Sequence, residues 1–180
     1  MVVKFAIVAL TELIEQDEAK LTNFLRSFSC KKDSRIQDFL HNQAIENSKR
    51  NWGRTYLIVD TNTMDLLAFF TLTDKIFTFD ESVSKTTRRR VTGDKSAIYF
   101  NSILIANLAK NDNFSHSLSG EDLLELILSQ CKLVKDILGL RVVTVEFEDK
   151  PKLVEYYNKN GFIDIQAKVV NGLKTSYTII

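Results

Sequence analysis

The stretch from Ile103 to Phe147 constrains this chain more than any other. An apolar run, Ile103 to Ala109, passes through a short polar loop to Gly120 and into a segment where Leu123, Leu124, Ile127, Leu128, Cys131 and Val134 recur at intervals of three and four. That interval is the period of one helix face. Arg141 to Phe147 follows with alternating β-branched residues, which is strand patterning. A strand over Ile98 to Ala109, a helix over Gly120 to Leu138 and a strand over Arg141 to Phe147 predict two parallel neighbours joined by a helical crossover. A helix start just after a strand end also gathers backbone N–H groups that can meet phosphate oxygens, so it suits a nucleotide-bearing cofactor.

The flanking segments fill in the rest of the order. Val3 to Ile14 reads as a first strand, Asp17 to Phe28 as a helix through Leu21, Phe24, Leu25 and Phe28, and Ile36 to about Lys49 as a second helix capped by Asp33 or Ser34. Arg54 to Asp60 and Leu66 to Phe77 predict an antiparallel pair. Asp80 to Lys95 is polar without an apolar period, carries Lys85, Arg88, Arg89 and Arg90, and reads as a surface loop. Pro151 to Asn160 predicts a short helix with the chain's single proline in its first turn. Phe162 to Val170 and Leu173 to Ile179, separated by Asn171-Gly172, predict a closing hairpin.

At 180 residues with 44% hydrophobic content, the chain can bury one core, so residues 1–180 are expected to form a single domain. A formal net charge of +1 argues against a general polyanion binder and leaves room for a local patch. Cys30 and Cys131 show no metal-ligand or redox spacing, so no metal is expected. The apolar run Val2 to Leu10 is too short to cross a bilayer, which favours a cytoplasmic protein without a membrane partner. The sequence leaves the oligomeric state open, with a homodimer as one partner arrangement.

Three local motifs carry a resemblance to the GNAT family of N-acetyltransferases, over residues 28 to 162. Phe28-Ser29-Cys30, then Asp38-Phe39-Leu40 with Ala44, then Arg54-Thr55-Tyr56 before a strand, is similar to the N-terminal region of the family's toxin-like branch. Ile103 to Asn111 resembles the family's fourth strand, and Tyr156-Tyr157-Asn158-Lys159-Asn160-Gly161-Phe162 its closing Phe-Tyr-Glu-Lys-x-Gly-Phe. The resemblance implies an acyl-CoA N-acyltransferase-like α/β (α+β) fold: a mixed, mostly antiparallel sheet of six or seven strands with helices on both faces. It implies transfer of an acetyl group from acetyl-coenzyme A (acetyl-CoA) to an amine of a small molecule or protein. Tyr157 would be the general acid, and Leu108, Ala109, Lys110, Ser115, Ser119, Gly120 and Glu121 would line the cofactor.

The phosphate loop departs from the family's pattern. Ser115, Leu118 and Gly120 occupy the positions of its Gln/Arg-x-x-Gly-x-Gly/Ala, so only Gly120 survives, and Leu118 is expected to crowd the phosphates. Glu121 and Asp122 add negative charge to the helix start, which favours the helix and opposes an anion. Two rival readings follow: a binding or structural protein that keeps the fold without the cofactor, and a toxin that acetylates aminoacyl-tRNA, with Lys85, Arg88, Arg89 and Arg90 on its phosphates. The base is open between Glu146 and Glu148.

Overall fold

A computed structural model describes residues 5–165 and 172–180. Seven strands hydrogen-bond in the order β1-β2-β3-β4-β5-β7-β6, where β1 is Phe5–Ala9, β2 Arg54–Asp60, β3 Leu66–Thr78, β4 Tyr99–Lys110, β5 Val142–Glu148, β6 Ile163–Asp164 and β7 Leu173–Ile179. The sheet is mixed. β1–β2, β2–β3, β5–β7 and β6–β7 pair antiparallel, while β4 and β5 run parallel from Ile103↔Val143 to Ile105↔Val145. Helix α5, Gly120–Leu138, lies between β4 and β5 in sequence, as the crossover pattern predicts. Leu123, Leu124, Ile127 and Cys131 of its stripe are buried.

The chain divides into two compact units, Met1–Thr73 with Ala106–Leu123, and Asp74–Ile105 with Leu124–Ile180. In the first, helix α1 (Leu10–Leu25) and the run of α2 (Ser34–Asp38), a π-helical segment (Phe39–Gln43) and α3 (Ala44–Lys49) supply Leu10, Leu21, Leu25, Leu40 and Ala44 to a core completed by Leu57, Leu66 and Phe69. Phe69 meets Phe28 edge-on at 5.1 Å. The first strand ends at Ala9, sooner than the sequence suggests, because Leu10, Leu13 and Ile14 fit a helix face as well as a strand, and Leu10 is wholly buried. The helix expected from Asp17 has a physical basis: Asp17 leaves helical geometry (φ −164°, ψ 94°) and its carboxylate accepts the Lys20 N–H at 3.0 Å, capping a second segment. Asp33 caps α2 through the Arg35 N–H at 3.0 Å.

In the second unit, Phe77, Phe79, Phe100, Leu104, Val142 and Tyr177 form the core with Val91. Val91 belongs to helix α4, Lys85–Thr92, where the sequence suggests a loop. The helix is set by its ends: Ser84 accepts the Thr87 N–H at 3.1 Å, and Gly93 closes it at φ 87°. Only Val91 of its residues is buried, so no apolar period marks it. Helix α6, Pro151–Lys159, starts with proline as expected. The final strand pair is antiparallel, and β6 starts at Ile163 because the Phe162 N–H is spent on ending α6. Residues 166–171, including the expected turn residue Asn171, lie outside the described residues.

Candidate functional site

In the first unit, the end of β4 carries Leu108, Ala109 and Lys110, all half-buried. The loop that follows is fixed by a residue the sequence does not flag. Asn111, 0% exposed, donates from Nδ2 to the carbonyls of Leu66 (2.8 Å) and Ser27 (3.3 Å), and its Oδ1 accepts the Ser29 N–H at 3.1 Å. Asp112 completes the splice: its N–H donates to Ser29 O at 2.8 Å, and its carboxylate accepts the Lys31 N–H at 2.7 Å. The Phe28-Ser29-Cys30 motif and the end of the fourth strand, distant in sequence, are therefore bound together. No local pattern announces this, since the partners lie 82 and 81 residues apart.

The loop brings together two of the expected cofactor residues, because Lys110 Nζ donates to the Ser115 carbonyl at 2.8 Å. Leu118 does not crowd the helix start. It is 2% exposed and belongs to the core, so its side chain leaves the loop surface to Ser115, His116 and Ser119. Ser119 is the N-cap of α5: Oγ accepts the Asp122 N–H at 3.0 Å and donates to the Asp122 carboxylate at 2.6 Å. One helix-start donor is thus taken internally, and the Asp122 charge is held beside Ser119. Gly120 and the exposed Glu121 stand at the next two positions.

Tyr157 belongs to the second unit and owes its placement to the end of α6. The Gly161 N–H donates to Asn158 O at 3.1 Å and the Phe162 N–H to Tyr157 O at 3.0 Å, with Gly161 at φ 81°. This is a Schellman cap, whose accompanying apolar contact is that between the rings of Phe162 and Tyr157, 5.6 Å apart. Phe147 of β5 packs on the same ring at 4.5 Å. Burial pushes the phenol up to about 12, so it stays protonated at neutral pH. Among the described residues the hydroxyl has no hydrogen-bond partner, which leaves it available to an incoming group. Glu146 is ion-paired with Lys75 at 2.5 Å and Glu148 with Lys150, so neither carboxylate stands free as a base.

Of the four basic side chains that the toxin reading sets on tRNA phosphates, Arg88 and Arg90 are tied into the fold. Arg88 donates to the carbonyls of Asp80, Val83 and Ala97 at 2.9, 3.0 and 2.9 Å, and Arg90 donates to the Tyr177 hydroxyl. Lys85 and Arg89 remain exposed. An apolar groove of about 600 Å³ in the first unit is lined by Ala6, Val8, Leu13, Leu21, Phe24 and Val59 among others, and by none of the expected site residues. Among the described residues no histidine, cysteine or carboxylate cluster suits a metal, and no helix is long and apolar enough to cross a membrane.

No protein-family model matches the chain, and no curated protein matches it. Solved structures match over nearly its full length. A complex of AtaT with acetyl-methionyl-tRNAfMet is 18% identical at a TM-score of 0.73, covering 98% of this chain and 95% of that one. A tyrosine-to-phenylalanine mutant of KacT gives 18%, 0.73, 98% and 95% for the same measures. AtaTR bound with acetyl-CoA is 17% identical at a TM-score of 0.67, covering 97% and 92%. The chain has the acyl-CoA N-acyltransferase-like fold of these neighbours.

Proposed function

We propose that this protein is an N-acetyltransferase that uses acetyl-CoA and passes its acetyl group to an amine. The observation that carries the reading is Tyr157: the chain has the fold of an acetyl-CoA-bound neighbour, and at the position its sequence motif implies it holds a protonated phenol in an aromatic setting with an uncommitted hydroxyl. The burial of Leu118 supports a cofactor fit, since the side chain expected to obstruct the phosphates is withdrawn into the core. Acetyl-CoA would supply an acyl group already activated as a thioester. Leu108, Ala109 and Lys110 would border its pantetheine arm, and Ser115, Ser119, Gly120 and Glu121 its phosphates. As the new N–C bond forms and the C–S bond breaks, Tyr157 would give its proton to the departing sulfur, the proton lost by the amine would pass to solvent, and solvent would return a proton to the Tyr157 phenolate.

A second reading concerns the acceptor. The AtaT complex with acetyl-methionyl-tRNAfMet favours the α-amine of an aminoacyl-tRNA, and AtaT also occurs bound to the antitoxin AtaR, so a protein partner of that kind belongs to the same reading. Lys85 and Arg89 are the side chains of the basic segment left to meet phosphate. The test is direct. Coenzyme A at a hundredfold excess over its dissociation constant should stabilise the protein by roughly 2.7 kcal/mol, and radiolabelled acetyl-CoA should label methionyl-tRNA. An unmoved melting curve would rule out the cofactor, and labelling of small amines alone would rule out the tRNA acceptor.

A further inference from the structure

Lys75 of β3 and Glu146 of β5 meet across the intervening strand β4, with Nζ 2.5 Å from Oε2. The same ammonium lies 4.9 Å from the centroid of the Phe77 ring. Both side chains are partly open to solvent, at 40% for Lys75 and 25% for Glu146, so the pair adds little to stability. Yet its setting is ordered. Ser102 Oγ hydrogen-bonds the Lys75 carbonyl at 3.2 Å and the Thr144 hydroxyl at 2.9 Å, and Thr144 precedes Glu146 by two residues on the same face of β5. Phe147, the next residue, packs against Tyr157. Alternation along the strand therefore puts Glu146 and Tyr157 on opposite sides of one strand end.

A carboxylate beside an aromatic face is a receptor for an ammonium ion, through charge-assisted hydrogen bonds and the ring quadrupole. Here the chain's own Lys75 occupies it. We infer that Glu146 docks the protonated amine of the acceptor, which then loses one proton to solvent so that the neutral nitrogen can attack, and that Lys75 is an internal stand-in which gives up the carboxylate when the acceptor arrives. The inference rests on the acetyltransferase reading. It places the incoming amine on one side of the end of β5 and the proton donor to the leaving sulfur on the other. It also specifies the acceptor class: a primary amine whose neighbouring carboxyl is esterified or amidated, because a free carboxylate would be repelled by Glu146.

The test uses methioninamide as the amine, with N-acetylmethioninamide and free methionine as controls, binding being measured by calorimetry with and without saturating coenzyme A. Glu146→Gln should weaken methioninamide roughly tenfold or more, whereas Lys75→Met, by removing the competitor, should tighten it several-fold. Wild-type binding should decline as pH rises through the amine's own pKa, near 8, and this dependence should vanish in Glu146→Gln. N-acetylmethioninamide should be indifferent to both substitutions. No methioninamide binding by the wild type, equal affinities in both variants, or a preference for free methionine that Lys75→Met abolishes would each overturn the inference. Failure of the parent reading shows separately, as a melting curve that coenzyme A leaves unmoved.

Discussion

Asn111 and Leu66, 45 residues apart, are joined by a buried 2.8 Å hydrogen bond from the Asn111 amide to the Leu66 carbonyl. The same amide group also serves Ser27 and Ser29, so one side chain fastens the end of β4 to the start of β3 and to the segment after α1. The loop leading to Ser119 and Gly120 begins at this anchor. Asn111→Ala strands the buried Leu66 carbonyl and the half-buried Ser29 N–H, each costing about 1–3 kcal/mol. The variant should melt about 4–24 °C lower by calorimetry, taking about 2–6 kcal/mol in total and about 2–4 °C per kcal/mol for a chain of this size. A fall of under 2 °C would show that the loop is held by other means.

Tyr157→Phe keeps the ring among Phe147, Tyr156 and Phe162 and deletes a hydroxyl that has no partner among the described residues. Melting should change little, while acetyl transfer should fall about 10²–10⁴-fold with coenzyme A affinity retained. Unchanged turnover would return Tyr157 to a packing role.

Alkaline pH gives an independent check on two buried groups. Tyr157 is raised to about 12 from 10.0, and Cys131 to about 12 from 9.0, both by burial. Each folded-state pKa exceeds its unfolded value, so the stability linked to these protons is complete below pH 9 and is lost as pH climbs through 9–12 for Cys131 and 10–12 for Tyr157. Denaturant midpoints should therefore fall steeply over that window, and Cys131→Ala should flatten the fall at its lower end. At pH 8 neither Cys131 nor the buried Cys30, whose thiol is also pushed up mainly by burial, should react with a thiol reagent before unfolding.

Restoring the family's glycine at Leu118 should harm the protein. Leu118 is a core side chain, 2% exposed, and even Leu118→Ala should cost about 2–5 kcal/mol in denaturant unfolding. Ser119→Ala, by contrast, removes only the cap of α5 and should cost about 1 kcal/mol. A Leu118→Gly variant of wild-type stability with tighter coenzyme A binding would show that the leucine does obstruct the loop.

The basic segment separates into two kinds of residue. Arg88→Ala abandons three carbonyls and should destabilise the fold without a specific effect on salt dependence. Replacing the exposed Lys85 and Arg89 together should leave melting unchanged and lower the salt slope of tRNA binding by about 0.7–0.9 for each phosphate no longer neutralised. If tRNA binds wild type and this double variant with equal slopes, the segment takes no part in acceptor binding.

Period and punctuation were enough to make the crossover legible. Gly120 to Leu138, the strands around it, the Pro151 helix and the β2–β3 pair all follow from local patterns, because in them the buried face and the secondary-structure period coincide. The end of α6 was legible for a related reason: Gly161 and Phe162 encode a Schellman cap within six residues, and the cap fixes where the Tyr157 ring packs. Helix α4 was not, since its support comes from caps and from arginine bonds to distant carbonyls rather than from an apolar stripe. Nor was the start of α1, where Leu10, Leu13 and Ile14 satisfy either period until packing chooses one. The inward turn of Leu118, the buried Asn111 anchor and the meeting of Lys75 with Glu146 belong wholly to the tertiary structure. Each depends on groups brought close across tens of residues, and only the folded chain determines which buried polar atoms find partners and which way a loop side chain points.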